Sequence, residues 1–202
     1  GLSLVGLTIA GPHARDVLQS VTSASLATKD FGFMNFRRVD VGMIPTILSR
    51  MTYTGDLGYE IWVTPDYQLT LHEALTEAGR DLGLRHFGNR ALMSLRLEKG
   101  YGAFLREFRA DYTPVEAGLE RFVAYDKGEF IGRGPALAER GKSPARKLVP
   151  LVVDTDVEVI GYESIVRGDK AVGQVTSGGY AHWAGKSMAM GYVEAGLARD
   201  GE

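Results

Sequence analysis

The spacing of apolar residues divides the first part of the chain into strands and helices. Residues 2–10 form an apolar run that predicts a strand, and residues 12–22 repeat apolar positions at helical spacing. Three further strands are predicted from β-branched and aromatic residues bounded by glycine-containing turns, at 36–42, 44–54 and 58–64. A helix is predicted from Asp66 to Gly79, and residues 84–88 form a candidate closing strand. The order β-α-β-β-α-β, with room for one more strand, is typical of a split βαβ, or ferredoxin-like, sandwich.

The second part of the chain changes from helical to strand patterns. Residues 89–98 have helical spacing, with a predicted apolar stripe that includes Leu92, Leu95 and Leu97. Thr113 followed by Glu116 predicts a capped turn, and residues 130–140 predict a short helix. Four short strand patterns punctuated by glycine follow, at 148–155, 164–168, 170–177 and 187–193. Such strands are typical of a small barrel or sandwich.

We therefore predict an α+β fold with three regions. Residues 1–88 form the ferredoxin-like α+β domain, residues 89–144 a helical and loop segment, and residues 145–202 a small all-β, barrel-like domain that is incomplete. The charged, proline-containing stretch 139–147 has little to bury, which favours a boundary there.

Composition narrows the classes of function. The 202 residues are 45% hydrophobic, enough for a globular core, and no run reaches the length of a membrane span. The first residues lack the basic leader of a signal peptide. There is no cysteine, which excludes thiolate chemistry and agrees with a reducing, cytoplasmic location. Four scattered histidines give no metal signature, and a net charge of -2 disfavours nucleic-acid binding.

A Gly185-Lys186-Ser187 triplet resembles part of a phosphate-binding loop. The motif GxxxxGK[ST] requires a glycine at position 180, where this chain has Tyr180, and a helix after the lysine. The following residues, MAMGYV, instead favour a strand. The triplet is therefore predicted to lead into a strand and not to bind a nucleotide.

Strand alternation places an acidic group beside a tryptophan. In GYEIWVT, Tyr59, Ile61 and Val63 share one face of the predicted strand, and Glu60 and Trp62 share the other. Two interpretations stay open: Glu60 faces a pocket or pairs with an arginine, or it is an exposed glutamate beside a half-covered tryptophan.

Charged residues near the end of the 89–98 helix also have two interpretations. Arg96 and Glu98 flank Leu97, as in a helix end anchored by ion pairs. Residues 101–108 alternate aromatic and charged side chains, including Glu107, and either line a ligand cleft or cover a domain seam.

Six strings in order resemble one known family. They are YTGDLGYEI, SLRLEKG, DYTPVEAGL, FIGR, GQVTSGG and GKSMAMGYV, spread over nearly the whole chain. Together they resemble the aminomethyltransferase family of the glycine cleavage T-protein. The stretches EKGY, REFRADYTP and HWAGKS are most similar to the folate-binding C-terminal half of dimethylglycine and sarcosine dehydrogenases.

The resemblance implies a ligand and its contacts. Members of that family bind tetrahydrofolate and transfer a one-carbon unit from an amine to it. Glu60 matches the glutamate that binds the pterin, Tyr53 a tyrosine of the same pocket, and Trp183 lies in a loop that faces the folate. Arg90 matches a folate-contacting arginine more loosely, since its spacing to the following RLE is two residues longer. The family's catalytic aspartate precedes the stretch that matches residues 2–14, so the catalytic residue here is unknown.

The resemblance also implies partners, and it leaves an alternative function open. The expected partners are a small-molecule amine and either an upstream flavin domain, which would bring FAD, or a carrier protein. The alternative to a transferase module is a non-catalytic folate-binding or scaffold module of a larger protein. Folate-binding relatives without transferase activity carry KGCYxGQE, whereas this chain has EKGYGAF, which disfavours that branch.

Overall fold

Contacts within the chain separate two units, Gly1–Leu92 and Met93–Glu202. The structure, a computed structural model, describes residues 3–199 and residue 201. In the described part of the chain, no helix is both long enough and apolar enough to cross a bilayer.

The first unit is one antiparallel sheet with two helices on one face. Its elements are β1 (Val5–Ala10), α1 (Ala14–Ser20), β2 (Phe36–Val41), β3 (Ile44–Ser49), β4 (Gly58–Val63) and α2 (Gln68–Ala78). The strands lie in the order β1-β4-β3-β2, so β4 is a central strand and β1 an edge strand. The α+β class predicted from the sequence is confirmed.

The core of this unit lies between the helices and the sheet. Leu18 of α1 and Leu71 of α2 are fully buried against Leu48 and Ile61 of the central strands. Tyr59 is buried in the same layer, and its hydroxyl oxygen accepts a hydrogen bond of 3.1 Å from Arg15 Nε. Both helices pack on this face of the sheet, where the apolar side chains are buried. The opposite face of the sheet is not covered by helices of the same unit.

The predicted closing strand at residues 84–88 is wrong. The segment has no regular secondary structure, and the observed order of elements is β-α-β-β-β-α. Two features turn the chain before that segment: Gly83 has φ +72°, and the Leu84 N–H donates to the Gly79 carbonyl at 3.0 Å. Because Leu84 is tied back to the end of α2, the chain does not run alongside β1.

The second unit contains a four-stranded antiparallel sheet. Helix α3 (Asn89–Glu98) contains the division between the units, and α4 (Arg133–Glu139) precedes the strands. The strands β5 (Arg146–Val153), β6 (Ser164–Arg167), β7 (Lys170–Ala181) and β8 (Lys186–Glu194) lie in the order β5-β8-β7-β6. The four strands predicted from the sequence are therefore present.

Two local predictions for this unit are confirmed. The Thr113 N–H donates to Glu116 Oε2 at 3.1 Å, and the Glu116 N–H donates to Thr113 Oγ1 at 3.3 Å, the reciprocal bonds of a capping box. Gly185, with φ +65°, forms the β7–β8 turn, and Lys186 and Ser187 begin β8. The Gly-Lys-Ser triplet thus leads into a strand.

We expect Gly58→Ala to destabilise the first unit, because Gly58 begins β4 where another part of the chain lies too close for a side chain. A Cβ at this position would lie 2.8 Å from Thr52 Cβ and 3.0 Å from the Ile9 carbonyl oxygen. The expected loss is about 1–3 kcal/mol of unfolding free energy, measured by urea denaturation. The control is Gly88→Ala, where no atom lies within 4 Å of the new Cβ. Equal stability of both variants would show that the close approach of Thr52 and Ile9 does not exclude a side chain at position 58.

Candidate functional site

The central strand β4 presents Glu60 on the face of the sheet away from the helices. Tyr59, Ile61 and Val63 are buried in the core, whereas Glu60 is half-buried and Trp62 is 37% exposed. The predicted alternation is confirmed. We call this side of the sheet the outer face; besides Glu60 and Trp62 it carries Gly6, Thr8, Phe36, Arg38, Asp40, Pro45, Ile47 and Ser49.

Strand register gives Glu60 its neighbours on the outer face. Thr8 of β1 and Ser49 of β3 lie directly opposite Glu60 on either side, and Phe36 of β2 lies opposite Ser49. Directly opposite residues of an antiparallel pair have Cβ atoms about 5 Å apart. Glu60 therefore lies between two hydroxyl-bearing residues in a row that ends at an exposed phenylalanine.

The Glu60 carboxylate has no hydrogen-bond or ion-pair partner among residues 3–199 and 201. A half-buried carboxylate loses part of its hydration, so a donor that reaches it gains more than it would in bulk water. The arginine pairing considered from the sequence is not formed within the described residues.

A cleft lies on the outer face beside Trp62. Its volume is about 360 Å³, and it is lined by Trp62, Ile47, Pro45 and Arg38 among others. The Trp62 ring lies over Gly6, where a Cβ would come within 3.0 Å of the indole. The lining of this cleft does not include Glu60, which lies in the neighbouring row of the sheet.

A larger cleft of about 890 Å³ runs along the edge strand β1. It is bounded by the start of α1, by α2 and by residues 82–89, which include the irregular segment 84–88. His72 and His86 stack in it with ring centroids 4.8 Å apart. Glu60 and Trp62 do not line this cleft, so it lacks the acidic group that the sequence singles out. In the described part of the chain, no three histidine, aspartate or glutamate side chains are placed to hold a metal ion.

The loop before β4 positions Tyr53. Thr52 Oγ1 and Thr54 Oγ1 are 3.0 Å apart, and Thr54 Oγ1 donates to Asp56 Oδ2 at 3.4 Å. Gly55 has φ +80°, a value that side chains disfavour. These bonds give the YTGDLG stretch a fixed shape in which Tyr53 is half-buried.

Arg90 and Trp183 belong to different parts of the chain. Arg90 is exposed in the first turn of α3, within the first unit. Trp183 lies in the β7–β8 turn of the second unit and is 94% exposed. Its backbone N–H donates to Glu98 Oε1 at 2.8 Å, so the position of the turn is fixed although the indole is uncovered. The roles of Glu60, Tyr53, Arg90 and Trp183 in ligand binding stay predictions.

The interior of the second unit contains a buried carboxylate, Glu107. Its Oε2 accepts hydrogen bonds from Arg96 Nη1 at 3.0 Å and from the Ala103 N–H at 2.7 Å. Its Oε1 accepts from the hydroxyls of Thr176, at 2.5 Å, and Ser177. Four donors thus surround a side chain that is 0% exposed.

These donors also set the protonation state of Glu107. Burial by itself raises the pKa of a carboxyl group. The Ala103 N–H, the two hydroxyls and the Arg96 guanidinium outweigh that effect and hold the pKa of Glu107 below its ordinary value. The group is therefore a structural anion that joins residues 96–107 to strand β7.

Sequence reasoning missed this arrangement. Arg96 is 1% exposed and binds Glu107, whereas Leu95, predicted to lie in the apolar stripe, is 36% exposed. Glu98 binds the Trp183 N–H and has no ion-pair partner among the described residues. In the sequence, Arg96 lies two residues before Glu98. That spacing does not indicate that Arg96 pairs with Glu107, eleven residues later.

Comparison with known proteins gives two matches to protein families. Residues 2–127 match the GCVT N-terminal domain, and residues 146–202 match the glycine cleavage T-protein C-terminal barrel domain. Among relatives, human mitochondrial dimethylglycine dehydrogenase is 39% identical over 97% of this chain. An aminomethyltransferase of Halothermothrix orenii is 36% identical over 97% of it.

A solved structure has the same fold. The glycine cleavage system aminomethyltransferase T of Bartonella henselae superposes on 99% of this chain with a TM-score of 0.86 and 28% identity. The chain spans 54% of that structure, 54% of the H. orenii protein and 23% of the human dehydrogenase. It therefore corresponds to about a quarter to a half of each of these relatives.

We expect Glu107→Gln to remove about 3–5 kcal/mol of stability at neutral pH, because it leaves the Arg96 charge buried without an anionic partner. A carboxyl with a lowered folded pKa stabilises the protein above its ordinary pKa and loses that effect as pH falls through the lowered value. The unfolding free energy of the variant should therefore fall less steeply below about pH 4 than that of the unchanged protein.

Chemical denaturation across this pH range measures both effects. The matched control is Glu129→Gln, which removes an exposed ion pair with Arg133 and should cost under about 1 kcal/mol. A loss for Glu107→Gln no larger than that of the control would show that the buried pair is not required.

Proposed function

Because this chain belongs to the glycine cleavage T-protein family, we propose that it is a tetrahydrofolate-binding module for one-carbon transfer. The amine that donates the carbon is a small molecule, and the longer protein that contains the module is an aminomethyltransferase or a dimethylglycine or sarcosine dehydrogenase. When bound, the folate supplies the nitrogen atoms that accept the one-carbon unit.

The observation that carries the proposal is the unpartnered Glu60 carboxylate on the outer face. Its two oxygens can accept two parallel N–H bonds, and the amino group and adjacent ring nitrogen of a pterin present such a pair. Thr8 and Ser49, directly opposite Glu60, add hydroxyl groups that can donate or accept. The residues present thus fit a flat, nitrogen-rich ring at this position.

The proposal includes three further folate contacts, Tyr53, Arg90 and Trp183. Tyr53 is held half-buried by the loop that enters β4, in the same unit as Glu60. Arg90 and Trp183 are both exposed, so neither side chain is part of a core. The role of these residues is to bind and orient the folate, which raises the effective concentration of the reacting groups.

Partners and location form part of the same proposal. A flavin domain, with its FAD, is expected if the longer protein is a dehydrogenase, and a carrier protein if it is a free-standing transferase. We propose a cytoplasmic location, and the absence of cysteine agrees with the reducing conditions there.

The alternative is a scaffold or non-catalytic folate-binding module. Calorimetric titration of the protein with tetrahydrofolate, together with an assay of one-carbon transfer, distinguishes these functions. The transferase proposal requires both binding and one-carbon transfer from a donor already at the formaldehyde oxidation level, an aminomethyl group or an iminium, because a methylated amine must first lose two electrons to a flavin. Binding without transfer favours the non-catalytic module, and absence of binding favours the scaffold.

Glu60→Gln should weaken tetrahydrofolate binding about ten- to a hundredfold, because hydrogen bonds to a charged group contribute about 1.5–3 kcal/mol. Glutamine keeps the shape of the side chain but turns one acceptor into a donor that opposes the pterin N–H groups. Calorimetric titration gives the dissociation constant. Glu73→Gln, at an exposed position of α2, is the control. Unchanged affinity in Glu60→Gln would overturn the assigned pterin site.

Trp183→Ala should weaken folate binding without a matching loss of stability. The indole is 94% exposed, so its removal should change the unfolding free energy by less than about 0.5 kcal/mol. A stacking contact with a bound aromatic ring is worth about 1 kcal/mol, or about fivefold in affinity. Parallel denaturation and titration measure the two effects; a drop in stability with unchanged affinity would argue against a role in binding.

A further inference from the structure

The hairpin of β7 and β8, whose turn is residues 182–185, is bonded at two points to helix α3. Ser94 Oγ donates to the Tyr180 carbonyl at 2.6 Å, and Glu98 Oε1 accepts from the Trp183 N–H at 2.8 Å. All four residues belong to the second unit. Ser94 and Glu98 are four positions apart, so they lie on the same side of α3. That side of the helix therefore holds the main chain of the hairpin near the end of β7 and within the turn.

An apolar contact beneath these two bonds packs α3 against β7. Leu97 is 1% exposed, and its Cδ2 lies 3.7 Å from the place that a Cβ on Gly179 would occupy. Because Gly179 has no side chain, the leucine lies close to the backbone of the strand. This contact holds the helix on the strand, and the two hydrogen bonds extend the attachment to the turn.

The turn does not need these bonds in order to close. The Gly185 N–H donates to the Ala181 carbonyl at 2.8 Å, and Gly185 has φ +65°. Short hairpin loops with a glycine in the left-handed region close through such local bonds. The bond from Glu98 also does not bury the Trp183 indole, which is 94% exposed. A half-buried carboxylate thus fixes the main chain of a residue whose large side chain remains in solvent.

We propose that Glu98 and Ser94 are positioning residues, which hold the 182–185 turn so that the Trp183 indole is oriented for its ligand before the ligand arrives. The inference rests on the proposed function, in which Trp183 contacts the folate, and adds the residues that act through it. A turn that is ordered in advance loses less conformational freedom on binding, which raises affinity. The effect of either residue on affinity is therefore limited to the contribution of Trp183 itself.

A double-mutant cycle with tetrahydrofolate, measured by calorimetry, tests the inference. Glu98→Ala should weaken binding about two- to fivefold, no more than Trp183→Ala does. Trp183→Ala keeps the backbone N–H, so the bond to Glu98 remains in that variant. Adding Glu98→Ala to Trp183→Ala should therefore weaken binding no further, whereas a purely structural role of Glu98 would reduce affinity by the same factor in both backgrounds. Ser94→Ala, which removes the other bond, should show the same non-additivity.

A conservative variant and a matched control accompany the cycle. Glu98→Gln should retain most of the affinity, because the carboxamide oxygen can still accept from the Trp183 N–H. Glu73→Ala removes an exposed glutamate of α2 and should leave the affinity unchanged.

Tryptophan fluorescence follows the turn without any ligand. The chain has two tryptophans, so Trp62→Phe leaves Trp183 as the one that emits. In that background Glu98→Ala should lower the fluorescence anisotropy, because the released turn lets the indole move more freely.

The outcomes separate this inference from the proposed function. Equal losses of affinity from Glu98→Ala with and without the Trp183 indole, or an unchanged anisotropy, would overturn the inference while leaving the folate site intact. If the unchanged protein binds no tetrahydrofolate, the proposed function fails, and this inference fails with it.

Discussion

Strand β4 is hydrogen-bonded to a neighbour on both sides, and this double pairing decides which of its side chains face the core. Tyr59, Ile61 and Val63 are buried, so a slip of one residue would move Glu60 into the apolar layer and Tyr59 out of it. Burying an unpaired carboxylate in that layer would cost several kcal/mol. The register is therefore strongly specified, and the position of Glu60 on the outer face follows from it.

In the second unit, a glutamate has a structural role instead. Its loop at residues 101–108 is irregular, and irregular backbone inside a protein leaves N–H and C=O groups that need partners. Glu107 accepts from the Ala103 N–H, its own carbonyl accepts from the Tyr192 hydroxyl at 3.0 Å, and Arg96 Nη1 donates to the Tyr101 carbonyl at 3.0 Å. One buried ion pair thus satisfies both charge and backbone, which explains how a charged group persists there.

Features with a local cause were predictable from the sequence, and features that depend on distant partners were not. Alternation around Glu60 and the Thr113–Glu116 cap involve residues within four positions of each other, and both predictions were confirmed. The burial of Arg96 depends on a loop and on a strand whose hydroxyls lie about eighty residues later. Arg38 and Trp62 line the same cleft only because of the sheet order, which periodicity cannot reveal. The strand wrongly predicted at 84–88 failed because a hydrogen bond to Gly79 redirects the chain.

The contrast between Glu60 and Glu107 is the physical basis for assigning ligand binding to one of them. Four donors saturate the oxygens of Glu107, and no space is left for another molecule beside a side chain that is 0% exposed. Glu60 is partly removed from water yet has no donor among the described residues, and it shares its strand face with Trp62, whose side chain is 37% exposed. A carboxylate in that state is stabilised by any ligand that brings N–H groups to it. Glu107 therefore serves the fold, whereas Glu60 retains its hydrogen-bonding capacity for a molecule from outside.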